Sequence, residues 1–410
     1  MSLNNFDESI SNLFLKGEQN EISLGLNRIK EELTNLGSPC NKVPAIQIVG
    51  TNGKGSIASF LSSTLELTNI DFGLTTSPHL ISWCERIKVN RESISEKDII
   101  RYISYIRRKT TKKLTPFEYI ILTALLYFSS KKVKLMILEA GLGGRLDATT
   151  AHPFRPIIAI GGIGIDHCEY LGNKLADIAK EKAAVITRGS KVFSGEQHPD
   201  VKAIIENIIK INKAEIRWVK PLSKSWNLGI NGEVQLENAS VAREVLRELS
   251  TYGWVISEQI IKDGFSKANW PGRMQKATLK GVDFILDGAH NPHAAKQLAI
   301  ERNNWDNQEK GVNWIFGFLL QKDAATIIRT LIKPCDNAWI IPVPNQSSWN
   351  LQKVLESCPE FSDKFHSCKD LDEIIMILSH NSKAKKSPKV ITGSLYLIGK
   401  IIDIFEITKN

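Results

Sequence analysis

Gly50-Thr51-Asn52-Gly53-Lys54-Gly55-Ser56 stands between the apolar run Ala45-Ile46-Gln47-Ile48-Val49, short and branched enough for a buried strand, and residues 57–69, whose apolar spacing suits a helix. Strand, glycine loop, helix is the layout of a phosphate cradle. The glycines let backbone N–H groups converge, the helix N-terminus adds partial positive charge, Lys54 reaches outer phosphates and Ser56 can face Mg²⁺. Thr51, Asn52, Gly53, Lys54, Gly55 and Ser56 are therefore candidate nucleotide-binding residues. The spacing departs from the common P-loop, because Gly55 separates Lys54 from Ser56 and the loop is shorter. An ordinary glycine turn is the competing reading.

At 410 residues the chain exceeds what one hydrophobic core organises, so two domains are expected. With 42% hydrophobic and 24% charged residues it has the composition of a globular protein. The longest apolar stretch, 119–128, is about half of what a membrane span needs. Residues 1–7 are polar and acidic, without a basic-then-apolar signal segment. A cytoplasmic protein off the membrane is expected. Cys40, Cys84, Cys168, Cys335, Cys358 and Cys368 are scattered, which fits a reducing compartment and no zinc knuckle. The net charge of +9 admits nucleic acid, a membrane surface or small anionic substrates. The dense basic runs are Arg107-Arg108-Lys109 with Lys112-Lys113, and Lys383 with Lys385-Lys386 and Lys389. They sit between predicted elements without interleaved aromatics, so they read as solvated loops and not as a nucleic-acid stripe.

Residues 1–40 carry a helical period in Ile22, Leu24, Leu26, Ile29 and Leu33, a lead-in helix without visible chemistry. A strand at 72–76 ends in Ser77-Pro78-His79-Leu80, where ligands bind in α/β sheets, although Ser77-Pro78 also suits a plain turn. A helix follows at 96–108. Thr115-Pro116-Phe117-Glu118 opens another with a capping box, which gives Glu118 a sufficient structural role. A buried strand at 133–138 precedes Glu139-Ala140-Gly141-Leu142-Gly143-Gly144-Arg145-Leu146-Asp147-Ala148-Thr149-Thr150. A carboxylate there, facing a phosphate loop, is where a nucleotide-bound Mg²⁺ needs an oxygen ligand. A dinucleotide fingerprint is the rival, but the third glycine's spacing is absent.

The next strand, 156–161, leads to Asp166-His167, either a hydrogen-bonded core pair or part of a metal set. The helix at 175–186 contains Ala179-Lys180-Glu181-Lys182-Ala183-Ala184, whose lysines read as a solvated face. Strand and helix signals alternate past residue 200, and 235–249 is a helix containing Asn238. Trp270-Pro271-Gly272-Arg273 is the candidate interdomain hinge. Beyond it come a strand at 282–286 and the loop Asp287-Gly288-Ala289-His290-Asn291-Pro292-His293. Segments 314–318, 324–332, 338–343, 351–357, 371–380 and 390–392 then complete a second doubly wound α/β unit.

The glycine loop, Thr76-Ser77-Pro78-His79-Leu80, the stretch 138–149, Asp166-His167, Glu181-Lys182-Ala183, Trp270-Pro271-Gly272-Arg273, the 287–293 loop and Gly393-Ser394-Leu395-Tyr396 together resemble the folylpolyglutamate synthase / dihydrofolate synthase family of the Mur ligase superfamily. The resemblance runs in the family's order from about residue 45 to 400. It implies an α/β protein, with a P-loop ATPase domain over 1–274 built on a central, mostly parallel sheet, and a smaller Rossmann-like C-terminal domain over 275–410. It also implies a monomer that uses ATP and two Mg²⁺ ions. The substrates would be dihydropteroate or a reduced folate, together with L-glutamate, and no nucleic acid. ATP would phosphorylate the pteroate or folate carboxylate, and the glutamate amine would displace phosphate to form the amide.

By the same resemblance Ser77, Glu139 and His167 hold metal, with Ser56 a further ligand, and Lys54, Glu139, His167 and Lys182 are the catalytic set. Lys182 matches the family's carbamylated lysine (N6-carboxylysine); added CO₂ would turn an amine into an anionic oxygen donor. Asn238, Arg273 and Asp287 match ATP-contacting positions, with His290 and Asn291 near the nucleotide or acyl phosphate. Thr115, Phe117, Glu118 and Ala148 match positions lining the dihydropteroate pocket, Phe117 against the pterin ring. The chain departs from the family at Thr150 (usually Asn), Ala184 (Gly), Gln321 (acidic) and Val234 (His in some members). Two alternatives stand beside this reading. A Mur-type cell-wall amino-acid ligase would carry a further domain ahead of the loop, where the stretch is below domain size. A non-catalytic nucleotide-dependent binding protein would leave the carboxylate and Asp-His motifs without a task.

Overall fold

A computed structural model describes Ile10 and residues 23–305, 311–380 and 387–407. The apolar run before the glycine loop forms β1 (Ala45–Val49), buried along its whole length as a central parallel strand covered on both faces must be. The other strands of its sheet are β2 (Phe72–Thr75), β3 (Ile87–Val89), β4 (Glu92–Ser93), β5 (Leu135–Glu139), β6 (Ile157–Ile160), β7 (Lys191–Ser194) and β8 (Glu215–Trp218). Their spatial order is β4-β3-β2-β5-β1-β6-β7-β8. Pairing is parallel from β2 through β8, and only the β2-β3-β4 edge is antiparallel. Ile48 is level with Glu139, Val49 with Ile160 and Thr75 with Leu138. The loops that leave β1, β2, β5 and β6 therefore share one edge of the sheet, the edge where α/β folds bind ligands.

The helix after the glycine loop spans Lys54–Leu65, so it starts on the loop's lysine and ends earlier than the apolar spacing alone predicts. The basic run Arg107-Arg108-Lys109 is not a loop. It closes the Glu96–Lys109 helix, where cations suit the negative end of the dipole. Lys389 is likewise no solvated loop residue: it opens a strand, is buried, and donates from Nζ to the Ser387 carbonyl at 3.0 Å. Lys383, Lys385, Lys386, Ile22 and residues 1–7 lie outside the described residues. The lead-in helix, Asn27–Asn35, buries Ile29 and Leu33 and is also fastened by charge. Arg28 pairs with Glu118 at 3.2 Å, and the Glu32 carboxylate accepts from the N–H groups of Thr111 and Lys112.

Contacts divide the chain into two units: residues up to Gly229 with Gln235–Ala268, and Ile230–Val234 with Asn269 onward. The second unit has its own sheet, built from β9 (Gln275–Leu279), β10 (Val282–Leu286), β11 (Asn313–Phe316), β12 (Asn337–Ile340) and β13 (Lys389–Thr392). Its order is β12-β11-β13-β10-β9, with only β9 antiparallel. β9, missing from the sequence reading, is a half-exposed edge strand joined to β10 through Lys280 and Gly281. Both turn residues have positive φ, the geometry of a two-residue hairpin turn. The fold is α/β in both units. Among the described residues no helix is long and apolar enough to cross a membrane.

Asp336 anchors the second core. Its carboxylate accepts both Arg302 Nη groups, the Trp314 indole N–H at 3.0 Å, and the backbone N–H groups of Val312 and Lys333. Arg302 and Asp336 are 3% and 0% exposed. Asp336→Ala would leave a buried cation and several donors unsatisfied, and should destabilise this unit by about 3–5 kcal/mol. Urea unfolding followed by tryptophan fluorescence measures it, and a loss below about 1 kcal/mol would contradict the anchoring role.

Candidate active site

The loop after β1 needs its glycines. Gly50 (φ 149°) and Gly53 (φ 85°) have backbones that other residues adopt only under strain. A Cβ on Gly53 would also run into the amide of Asn238, so the P-loop and that asparagine touch. The loop that leaves β6 braces it: Thr51 and Asn52 donate their N–H groups to the Gly162 carbonyl, and the Thr51 hydroxyl donates to the Gly164 carbonyl at 2.8 Å. A glycine caps the Lys54–Leu65 helix, the arrangement of an anion-binding helix N-terminus, and Ser56 is buried in its first turn.

Two lysines meet at the base of this loop. Lys54 Nζ donates to the carbonyls of Gly50 and Thr51, both at 3.1 Å. Lys182 Nζ donates to the same Gly50 carbonyl at 2.9 Å. Lys182 is 4% exposed, so it is not on a solvated face; Lys180 is. Burial first, and the Lys54 charge second, lower the Lys182 pKa to about 7. Its helix, Leu175–Ala183, is clamped at the C-terminal end by the loop after β5. A Cβ on Gly144 would sit 2.8 Å from the Glu181 carbonyl and 2.9 Å from that of Lys182. Arg145 bonds the same turn, from its N–H to the Glu181 carbonyl and from its guanidinium to the Glu181 carboxylate.

Glu139, buried at the end of β5, accepts the Ser77 N–H at 3.1 Å, which joins two of the expected metal residues. His167, in the left-handed region at φ 51°, donates its N–H to Asp166 Oδ1, and its Nε2 lies 3.8 Å from Asp166 Oδ2. Among the described residues no three His, Cys, Asp or Glu side chains form a self-sufficient metal cage. A carboxylate, an imidazole and serine hydroxyls do suit a hard Mg²⁺ ion whose remaining positions are filled by phosphate and water oxygens.

On the proposed substrate side the Thr115 capping box is complete: Thr115 Oγ1 accepts the Glu118 N–H and Glu118 accepts that of Thr115 at 2.7 Å. Thr115 lines a cavity of about 290 Å³ with Ser23, Arg28, Lys112, Lys113 and Leu114. The Phe117 ring lies on Gly141, where a Cβ would be 2.7 Å from it, and Ala148 is buried in the core against which Phe117 packs. In the second unit the buried Asp287 carboxylate accepts the N–H groups of Met274 and Ala289. Burial raises its pKa, and the neighbouring Arg273 opposes the rise. His290 Nδ1 is 2.7 Å from the Gly288 carbonyl, and Asn291 caps the Pro292–Glu301 helix by accepting from Ala294.

The sequence reading missed Asp147, Gln47 and Arg155. Asp147 Oδ2 accepts the N–H groups of Gly141 and Leu142, each at 2.9 Å, and so shapes the loop after Glu139. Gln47 carried a readable signal, since an amide inside a fully buried strand must have partners. Thr150, where the family usually has Asn, donates its hydroxyl to the Gly144 carbonyl at 2.7 Å.

Residues 272–404 match the family model described as dihydrofolate synthetase, C-terminal domain. The chain is 30% identical to the dihydrofolate synthetase of Saccharomyces cerevisiae, over 93% of this chain and 98% of that one. It is also 30% identical to the dihydrofolate synthase/folylpolyglutamate synthase of Bacillus subtilis, over 92% and 94%. A solved bifunctional folylpolyglutamate synthase/dihydrofolate synthase with Mn, AMPPNP and L-glutamate bound has the same fold, with a TM-score of 0.84 at 27% identity over 99% of this chain and 98% of that one. With this extent of identity, and the glycine loop and Glu139 edge in place, the chain belongs to the folylpolyglutamate synthase / dihydrofolate synthase family.

The depressed lysine has a consequence for stability. Folded Lys182 loses its proton near pH 7, whereas in the unfolded chain it keeps it up to about the ordinary 10.5. The unfolded state thus holds the extra proton across that window, and the cost of burying the ammonium is full below about pH 7 and fades as pH rises. In CO₂-free buffer, the gain in melting temperature from Lys182→Met should be largest below pH 7 and shrink toward pH 10. A gain independent of pH would contradict the buried, depressed amine.

Proposed function

We propose that this protein joins L-glutamate to the carboxylate of dihydropteroate, and also to reduced folates, in a reaction driven by conversion of ATP to ADP and phosphate. The observation that carries the reading is the meeting of Lys54 and Lys182 on the Gly50 carbonyl, at the sheet edge where Glu139 is joined to Ser77. A carboxylate is a poor electrophile until one of its oxygens becomes a leaving group, and bringing it to a triphosphate sets anion against anion. Lys54 offsets that repulsion at the γ-phosphate, and the P-loop N–H groups hold the chain of phosphates in line. Ser56, Ser77, Glu139 and His167 would hold two Mg²⁺ ions, which would supply Lewis-acid neutralisation of phosphate charge.

The acceptor carboxylate oxygen attacks the γ-phosphorus, and ADP leaves. The free amine of glutamate, having given up a proton, then attacks the acyl carbon; phosphate departs carrying the former carboxylate oxygen. Asn238, beside Gly53, contacts the nucleotide, and Arg273, Asp287, His290 and Asn291 keep the nucleotide-binding role that the family resemblance implies. Thr115, Phe117, Glu118 and Ala148 line the pteroate pocket, and the cations Arg28, Lys112 and Lys113 beside Thr115 suit an anionic acceptor. Lys182 is carbamylated: a neutral amine is the form that adds CO₂, and a depressed pKa keeps that form available at physiological pH. We further assign a monomer working in the cytoplasm, where the six free cysteines stay reduced.

ADP release with ATP and glutamate, offered 7,8-dihydropteroate and then tetrahydrofolate, tests the reading. Turnover is expected with dihydropteroate, and turnover with neither acceptor would sink it. Lys54→Ala should lower kcat by about 10²–10³-fold or more with the melting temperature unchanged. An active mutant would remove Lys54 from the chemistry. Lys182→Ala should regain part of its lost activity when formate is added, and absence of rescue would count against carbamylation.

A further inference from the structure

Gln47 is fully buried in β1, and its side chain is bonded at both ends. Its Oε1 accepts from Arg155 Nη1 in a short hydrogen bond, and its Nε2 donates to Thr149 Oγ1 at 3.0 Å and Thr150 Oγ1 at 2.7 Å. Arg155, 8% exposed, also donates to the carbonyls of His152 at 2.8 Å and Val185 at 3.1 Å. Burial lowers its pKa only to about 10, so it remains a cation. Its partners are all neutral: no carboxylate pairs with it among the described residues.

A guanidinium can donate but cannot accept. Arg155 therefore orients the Gln47 amide, oxygen toward itself and NH₂ toward the threonines. Each threonine hydroxyl, once it accepts from Gln47, is left to donate onward. Thr149 Oγ1 donates to Asp147 Oδ1 at 2.5 Å, and Thr150 Oγ1 donates to the Gly144 carbonyl. Asp147 in turn holds the N–H groups of Gly141 and Leu142, directly after Glu139, while Gly144 rests on the turn that carries Lys182. Val185, bonded by Arg155, lies just beyond that same turn.

We propose that Arg155 and Gln47 are positioning residues for the ligase reaction: a one-directional donor chain, Arg155 to Gln47 to Thr149 and Thr150, that sets the loop 139–150 and with it Glu139, Ala148 and the Lys182 helix end. The proposal rests on the functional reading of those three residues given above. It also accounts for the tolerance of Thr150 at a position where the family usually has Asn. An asparagine can accept from Gln47 and donate to Gly144 as the threonine does.

Gln47→Glu is the sharpest variant, because the carboxylate still accepts from Arg155 but has no proton to donate to the threonines. In the full-length protein without substrates, amide hydrogen exchange in residues 139–150 should quicken by about tenfold, while residues 50–56 stay within about twofold. The KM for dihydropteroate should rise by about tenfold with the Kd for ATP within about twofold. Arg155→Met should act in the same direction, and Thr150→Asn should keep wild-type values. The proposal is overturned if Gln47→Glu leaves exchange in 139–150 unchanged, or quickens 50–56 equally, which is general loosening. Should the wild type turn over neither acceptor, the ligase reading fails while the exchange comparison still decides on the donor chain.

Discussion

The carbonyl oxygen of Gly50 accepts hydrogen bonds from two lysines, and much of the first unit follows from that crowding. Two ammonium groups cannot share one buried acceptor cheaply. Lys182, the more enclosed, has its pKa lowered, first by burial and then by the Lys54 charge. A buried lysine with a depressed pKa keeps part of its amine neutral, the form that can act as a nucleophile.

The crowding is possible because the backbone around it is unusually close. Gly53 admits Asn238, Gly144 admits the carbonyls that end the Lys182 helix, and Gly141 admits the Phe117 ring. Parallel pairing of β1 with β5 and β6 sets the exits of these strands level, so loops distant in sequence become neighbours. Beneath them the Gln47 amide and the Arg155 guanidinium replace apolar packing with directed hydrogen bonds. Directed bonds fix orientation in a way that apolar contacts do not.

The α/β class, the central strand, the Thr115 capping box and the order of the motifs were legible in the sequence, because each is written in local periodicity or in adjacent residues. Placement across the fold was less so. Local pattern alone made Lys182 a solvated residue, since a helical lysine carries no local mark of burial and the Gly144 turn that covers it is distant in sequence; only the family resemblance set it among the site residues. Asp147 was hidden inside a motif dominated by glycines, although it is the residue that shapes the loop. β9 escaped notice because an edge strand with one wet face has a mixed pattern, whereas the helix read at 96–108 ends within one residue of the observed Glu96–Lys109. Arg155 could be recognised only with Gln47 opposite it.

In the proposed reaction the acceptor carboxylate is phosphorylated before glutamate attacks. Dihydropteroate with ¹⁸O at both carboxylate oxygens, turned over with ATP and L-glutamate, reports that order of events through mass spectrometry of the released phosphate. One ¹⁸O atom is expected in each phosphate released, since the oxygen that attacks the γ-phosphorus leaves with it. Amide product formed alongside unlabelled phosphate would contradict the acyl-phosphate route.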